Sequence, residues 1–255
     1  MSLKDVELLG SLDSANKQIY IQFREEQAIK ILKMAKKLFK DHIAVAFSGG
    51  KDSLAVLHLA YEVLGDVPVI FNNTTVEFPE TIKYVRYIAK EWDLNLIITK
   101  PKKPFLSEVK HRGWATHEHR WCCTPYKKDP ARKFMMDNEI IAEITGTIRT
   151  ESIYRRSLKP FKFYKHDQNI VRIHPIYDWN QQEVWEYIKG KKLPYNPLYD
   201  MGYRRIGCWC CPLNGISHYK RLCKTHPKTF SFLTKFKPTH QAILKLQNHW
   251  YVRGR

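Results

Sequence analysis

The chain has 255 residues, 44% of them hydrophobic, enough to bury one substantial core. No run of roughly 18 apolar residues occurs, so no transmembrane helix is expected. The opening MSLKDVELLGSLDS lacks the basic-then-apolar pattern of a secretion signal, which points to the cytoplasm. Forty-three Lys and Arg against 25 Asp and Glu give a formal charge of +18. That excess favours anionic partners such as nucleotides, nucleic acid or acidic proteins, although a merely solvated basic surface would carry the same charge.

In chain order, residues 22–40 place Ala28, Ile31, Leu32, Ala35, Leu38 and Phe39 on one helical face, and residues 1–40 read as an N-terminal helical segment. A short strand over Ile43–Phe47 enters SGGKDS, followed by a helix from about Asp52 to Leu64. Val67–Asn72 reads as a second strand, FPETIKYVRYIAKEW as a second helix with Pro79 near its start, and Leu94–Thr99 as a third strand. Residues 100–121 are rich in Pro, Lys and His without a clean period, the pattern of an active-site loop. A helix over about Asp129–Asn138 and a fourth strand over Ile140–Gly146 follow. Beyond a basic segment, TIRTESIYRRSLKPFKFYK, come a strand at about Asn169–His174 and a helix at about Gln181–Lys189. This alternation predicts an α/β fold, a parallel twisted sheet with flanking helices, over residues 41–212. Residues 213–255 read as a small basic C-terminal extension.

In a parallel sheet, ligands collect beyond the carboxyl ends of the strands, where SGGKDS sits. Gly49 and Gly50 let the backbone approach a ligand and adopt positive φ, and the helix start beyond them offers unpaired N–H groups to an anion. Lys51 adds a charge, and Ser48 and Ser53 add hydroxyls. The spacing is not that of a Walker loop. With Asp52 the stretch resembles SGGxDS, the PP-loop of ATP pyrophosphatases and sulfonucleotide reductases; an ordinary glycine-rich turn is the plain alternative.

Six cysteines without a secretion signal argue against a disulfide framework. Cys122-Cys123 and Cys208-x-x-Cys211 form two close pairs of thiolates, suited to zinc or an iron–sulfur cluster. Adjacent side chains diverge, so Cys122 and Cys123 poorly chelate one small ion. A cubane spreads its ligand sites over separate irons, and the spacing favours 4Fe–4S. The histidines of HRGWATHEHR have no specific metal spacing.

A Cys-Cys pair, a long interval and then CxxC resembles the cluster motif of the phosphoadenylyl sulfate and adenylyl sulfate reductase family. RWCCTPYKKDPARKF, FPET, TGTIRTESIYRR and the run from Ile173 to Cys208 (IHPIYDW…LPYNPLYDMGYRRIGC) resemble the same family in order. The resemblance implies a PP-loop, adenine nucleotide alpha-hydrolase-like fold and a 4Fe–4S cluster on Cys122, Cys123, Cys208 and Cys211. It implies nucleotide binding by the PP-loop, Gly146, Arg149, Arg155 and Arg156, and a catalytic Lys127 near the cluster. The substrate would be adenylyl sulfate, phosphoadenylyl sulfate or ATP, and a thiol or electron-donor protein would complete the reaction.

The chain also departs from that family. Reductases carry a nucleophilic cysteine on a C-terminal tail of ECGxH type, and here LQNHWYVRGR stands last. Cys223, in YKRLCKTHPKTF, is the remaining candidate nucleophile, in basic surroundings that would lower a thiol pKa. Asn73 stands where the reductases carry an aspartate, and GCWCCP differs from their GCxxCT. Three readings follow: a reductase yielding sulfite, an ATP-pyrophosphatase-type sulfurtransferase acting on nucleic acid, and a non-catalytic cluster-bearing nucleotide-binding protein. A homo-oligomer is compatible with all three, and no membrane partner is expected.

Overall fold

The computed structural model describes residues 3–164 and 170–235. In chain order the elements are α1 (Leu3–Phe39), β1 (Ile43–Ala46), α2 (Lys51–Leu64), β2 (Val69–Asn72), α3 (Pro79–Glu91), β3 (Leu96–Thr99) and α4 (Phe105–Arg112). There follow α5 (Asp129–Asp137), β4 (Ala142–Ile144), β5 (Phe161–Phe163), β6 (Val171–Ile173), α6 (Gln181–Gly190), α7 (Ile216–Thr225) and α8 (Pro227–Lys235). Among the described residues no helix is long and apolar enough to cross a membrane.

Six strands lie in the order β3-β2-β1-β4-β6-β5. β4 is parallel to both β1 and β6, with Ala142 opposite Ile43 and Val171. In β1, Ile43, Ala44 and Val45 are all buried, as expected of a central strand covered on both faces. The expected parallel sheet carries one antiparallel edge. β5, a three-residue strand that the sequence does not announce, pairs antiparallel with β6. The expected strand at Asn169–His174 narrows to β6, and Asn169 lies outside the described residues.

Residues 100–121 also differ from expectation. They contain α4, which buries Phe105 and Val109 one turn apart and leaves its polar side to solvent. Eight residues are too few for the period to stand out among the surrounding Lys and His. The last stretch is helical as well, in α7 and α8; residues 236–255 of the expected extension lie outside the described part.

The chain forms two compact units, each gathered from separate stretches rather than from consecutive segments. The first comprises Met1–Phe47, Lys51–Val69 and Glu139–Tyr195; the second comprises Ser48–Gly50, Ile70–Asn138 and Asn196–Arg255. In the first unit α1 buries Ala28, Leu32 and Ala35, while Leu38 is exposed. Arg24 on α1 donates to the Asp178 carboxylate at 3.1 Å and to its carbonyl at 2.6 Å. α6 begins with a capping box: the Asn180 side chain accepts from the N–H of Gln182 and Glu183, and the Glu183 carboxylate accepts from Asn180 N–H. Trp179 and Tyr187 are core residues there. In the second unit an aromatic core of Phe78, Phe105, Trp114, Tyr126, Tyr203 and Tyr219 receives the cysteine segments at its margin.

Candidate functional site

The glycine turn has a specific backbone requirement. Gly49 has φ of +75°, and a Cβ there would stand 2.9 Å from Thr81 Cγ2. The turn is fastened by Asn196 of LPYNPLYD, a buried side chain whose amide donates to Gly49 O at 3.1 Å and to Thr81 Oγ1 at 3.2 Å. A Cβ on Gly50 would lie 3.5 Å from Tyr199 Oη and 3.9 Å from Ile206 Cβ. The chain that leads into Cys208 therefore passes directly against the turn.

Lys51 opens α2 with its side chain buried. It is only 4% exposed, and its ammonium holds the Asp52 carboxylate at 2.7 and 2.8 Å. The charge that the sequence offers to an anion is balanced locally, which leaves the helix start itself as the turn's attraction for phosphate. Ser48 is exposed and Ser53 buried.

Within the second unit the structure brings the two cysteine pairs into one electrostatic neighbourhood. Cys123 precedes a π-helical turn, Thr124–Lys128, in which Asp129 N–H donates to Thr124 O, and this turn feeds into α5. On the other segment Cys211 N–H donates to Cys208 O at 3.1 Å, Trp209 N–H to Val76 O at 3.1 Å, and Tyr219 Oη to Cys211 O at 2.9 Å. The proton on Cys122 is retained through its hydrogen bond with Cys123, then through burial and the nearby thiols Cys208 and Cys211. Cys123 is correspondingly lowered, first by that hydrogen bond and then, against the cost of burial, by Arg120, Lys127 and Lys128. Burial, followed by the Glu77 carboxylate, pushes Cys208 up to about 12.

Lys127 has an exposed side chain, yet its ammonium lies amid this group. Cys208 raises its pKa most, and Glu77, Cys211 and Cys123 add to the effect against desolvation. The cation is thus held charged among sulfur atoms. Glu77 and Thr74 escaped sequence reasoning. Glu77 is 8% exposed; Thr74 Oγ1 donates to its carboxylate at 2.8 Å and lies 3.4 Å from Cys208 Sγ. FPET, quoted from the resemblance, was the available signal, since it begins one residue after Glu77.

Among the described residues no group of three His, Cys, Asp or Glu side chains is arranged to chelate a single metal ion. The donor set itself is four half-buried thiols from two segments, with a lysine among them. All-sulfur donors with a cation to offset thiolate charge fit an iron–sulfur cluster. Cys210 is fully enclosed and its thiol is raised by burial, so it is a core residue. Cys223, the candidate nucleophile, lies in the second unit. It sits on α7 partly packed against the aromatic core, and burial raises its pKa. The basic residues of its sequence neighbourhood do not offset that burial.

In the first unit a Cβ on Gly146 would meet Asp52 O at 2.5 Å and Ser53 N at 2.7 Å, so β4 leaves the sheet pressed against the start of α2. Arg149 is engaged structurally: Nε donates to Leu158 O at 3.0 Å, and the guanidinium lies 4.5 Å from the Tyr177 ring centre. Arg155 pairs with Glu151 and lines a cavity, while Arg156 is exposed.

A glycine turn entering a helix from a mostly parallel sheet, with sulfur donors in the same unit, defines a nucleotide-binding α/β protein of PP-loop type. Residues 42–214 match the phosphoadenosine phosphosulfate reductase domain, and the chain belongs to that family. An uncharacterized protein of Methanocaldococcus jannaschii is 34% identical over 214 residues, which make up 83% of this chain and 52% of that protein. The chain thus spans about half the length of that relative. Adenosine 5'-phosphosulfate reductase of Bacillus cereus is 32% identical over 76% of this chain and 84% of its own. Among solved structures, phosphoadenylyl-sulfate reductase from Candida auris superposes with a TM-score of 0.61 at 25% identity, covering 75% of this chain and 95% of that one. The tRNA thiolase NcsA from Methanococcus maripaludis, solved with its [4Fe-4S] cluster, shares the fold at a TM-score of 0.56 and 17% identity, covering 86% of this chain and 78% of that one.

Proposed function

We propose that the chain reduces an adenylyl sulfonucleotide, adenylyl sulfate or its 3′-phosphorylated form, to sulfite and an adenine nucleotide. The observation that carries this reading is the company of the four thiols. Cys122, Cys123, Cys208 and Cys211 share a neighbourhood with the Lys127 ammonium, in the unit that also holds the turn at Gly49 and Gly50. The four thiols would hold a 4Fe–4S cluster, which when bound supplies electrostatic polarisation beside the sulfate. The turn at Gly49 and Gly50 would take the nucleotide phosphate, and Lys127 of the same unit would stabilise charge on the sulfate oxygens.

We assign the attacking thiolate to a thiol partner, since burial raises the Cys223 pKa. The thiolate attacks the sulfate sulfur, the bond from sulfur to the bridging oxygen breaks, and the adenine nucleotide leaves with that electron pair. A second thiol then attacks the thiosulfonate, releasing sulfite and leaving a disulfide, so that two thiols are oxidised for each sulfate reduced.

A second reading is favoured by the +18 charge. ATP would adenylate a nucleic acid with release of pyrophosphate, and sulfur would be delivered to it, as the name of the thiolase neighbour suggests for that protein. Anaerobically purified protein, supplied with a dithiol and each of the three nucleotides, separates the readings. Sulfite from a sulfonucleotide with no pyrophosphate from ATP supports the reductase. Pyrophosphate from ATP in the presence of nucleic acid, without sulfite, supports the thiolation route. Binding without either product leaves a non-catalytic nucleotide-binding protein.

A further inference from the structure

All 25 Asp and Glu of the chain stand at or before Asp200, and residues 201–255 carry eleven Lys and Arg without a carboxylate. The fold gathers part of that segment around one opening. In the second unit a cavity of about 280 Å³ lies between the turn at Gly202 and the start of α7. Arg204, Arg205 and Arg221 line it, with Leu213 and Asn214, and no carboxylate is among its lining residues. Arg204 and Arg205 are exposed, and neither enters an ion pair or a side-chain hydrogen bond among the described residues. Arg221 is held in place: its Nη1 donates to Met201 O at 3.1 Å, and a Cβ at Gly202, where φ is +82°, would run into its guanidinium. That bond uses one N–H of the five in the guanidinium fork.

An ordinary solvated face in this same unit looks different. Lys103 and Arg112 flank Glu108 at 3.4 and 3.0 Å, Arg132 lies 3.2 Å from Asp129, and Lys133 lies 2.8 Å from Asp137. There each cation has a counter-charge a turn or less away; around the cavity none of the three arginines has one. Lys220 and Lys224 on α7 and Lys228 and Lys235 on α8, all exposed, continue the same unbalanced charge. The opening also touches the sulfur chemistry. Asn214 holds the CxxC loop, its amide donating to Cys208 O at 3.2 Å and its backbone N–H to Cys211 O at 2.9 Å. An occupant of the cavity therefore lies against the loop that carries two of the four thiols.

We infer that this face binds a single-stranded stretch of nucleic acid, its phosphates on Arg204, Arg205 and Arg221 and an unstacked base against the exposed Leu213. Guanidinium forks match phosphate oxygens two at a time and stack on base faces. A row of cations with no interspersed acid suits a polyanion of evenly repeated charge better than an acidic protein, whose carboxylates alternate with other groups. A base reaches a side wall only when it has left the duplex stack, which favours a single strand. The inference goes beyond the reductase reading. It deepens the thiolation reading, on which it rests for the fate of the nucleic acid but not for its binding, which needs neither ATP nor a cluster.

The test is fluorescence anisotropy of a short labelled oligonucleotide, as single-stranded RNA, single-stranded DNA and duplex DNA, titrated with the full chain at several salt concentrations without ATP. It compares the unmodified chain with Arg204→Ala/Arg205→Ala and with Arg204→Lys/Arg205→Lys. A control, Lys30→Ala/Lys33→Ala, takes two charges from exposed positions of α1 in the first unit. Each variant is first checked for an unchanged fold by circular dichroism. The unmodified chain is expected to prefer the single strands and to lose affinity steeply as salt rises. Arg204→Ala/Arg205→Ala should bind about tenfold more weakly, with a salt slope shallower by about 1.4, the value of two single-strand phosphate contacts. The Lys pair should keep the slope and recover part of the affinity, and the α1 control should stay within about twofold. The inference is overturned if no oligonucleotide binds, if duplex binds as tightly as single strand, or if the control loses as much as the arginine pair. Displacement of the oligonucleotide by polyglutamate as readily as by unlabelled RNA would also overturn it, in favour of an acidic protein. Binding that depends on the arginine pair, without pyrophosphate from ATP, supports this surface and removes the thiolation reading. Pyrophosphate release with nucleic acid, with binding unaltered in Arg204→Ala/Arg205→Ala, removes this surface and leaves that reading.

Discussion

The neighbourhood of Cys208 and that of His174 treat a titratable nitrogen in opposite ways. Around Lys127 the electronegative company of Cys208, Glu77 and Cys211 outweighs desolvation and keeps the ammonium charged. Around His174, desolvation and three cations act together, and the imidazole stays neutral down to about pH 4. Burial opposes charge in both places; the sign of the neighbours decides the outcome.

The largest effect is expected on the sulfur side. Cys208→Ser should lower the iron and acid-labile sulfide of anaerobically purified protein to background, while Lys162→Ala leaves both unchanged. Full iron content in Cys208→Ser would remove that region's half of the contrast.

The His174 side has a pH signature. His174 is neutral in the fold down to about pH 4, whereas in the unfolded chain it takes up a proton near its ordinary 6.5. The unfolded state therefore binds more protons between those values, and stability falls as pH is lowered from 6.5 to about 4, by about 3 kcal/mol at the limit. Denaturant unfolding of His174→Gln across this range should be flatter by that amount. An unchanged slope would mean that Arg172, Lys162 and Arg155 do not hold the ring neutral.

Gly146→Ala sharpens the link between the end of β4 and α2. The added methyl would meet the backbone of Asp52 and Ser53, which cannot rotate away, so a loss of about 1–3 kcal/mol in thermal or denaturant unfolding is expected. Weaker nucleotide binding should accompany it. The smallest effect serves as the control: Asn180→Ala breaks the capping box of α6 and should cost about 1 kcal/mol with nucleotide affinity intact.

How much of this was legible follows from the range of the forces involved. The glycine turn and the cysteine pairs are contiguous in sequence, and their residue types alone limit the chemistry. α4 was hidden because two buried residues in eight make a weak period, and β5 because three residues carry no pattern. Lys51 is of a type that suggests an anion ligand, and only the fold shows its ammonium on Asp52. For Cys223 likewise, a sequence neighbourhood counts basic residues but cannot count the aromatic core against which the thiol packs.

By itself the sequence determined the alternation of strands and helices, the backbone freedom at Gly49 and the supply of four thiols, because each is a property of residue type and short-range spacing. Tertiary structure alone decided which nitrogen is charged and which is neutral. Asn196 reaches Gly49 across 147 positions and Thr145 reaches His174 across 29, and a pKa depends on such neighbours in space.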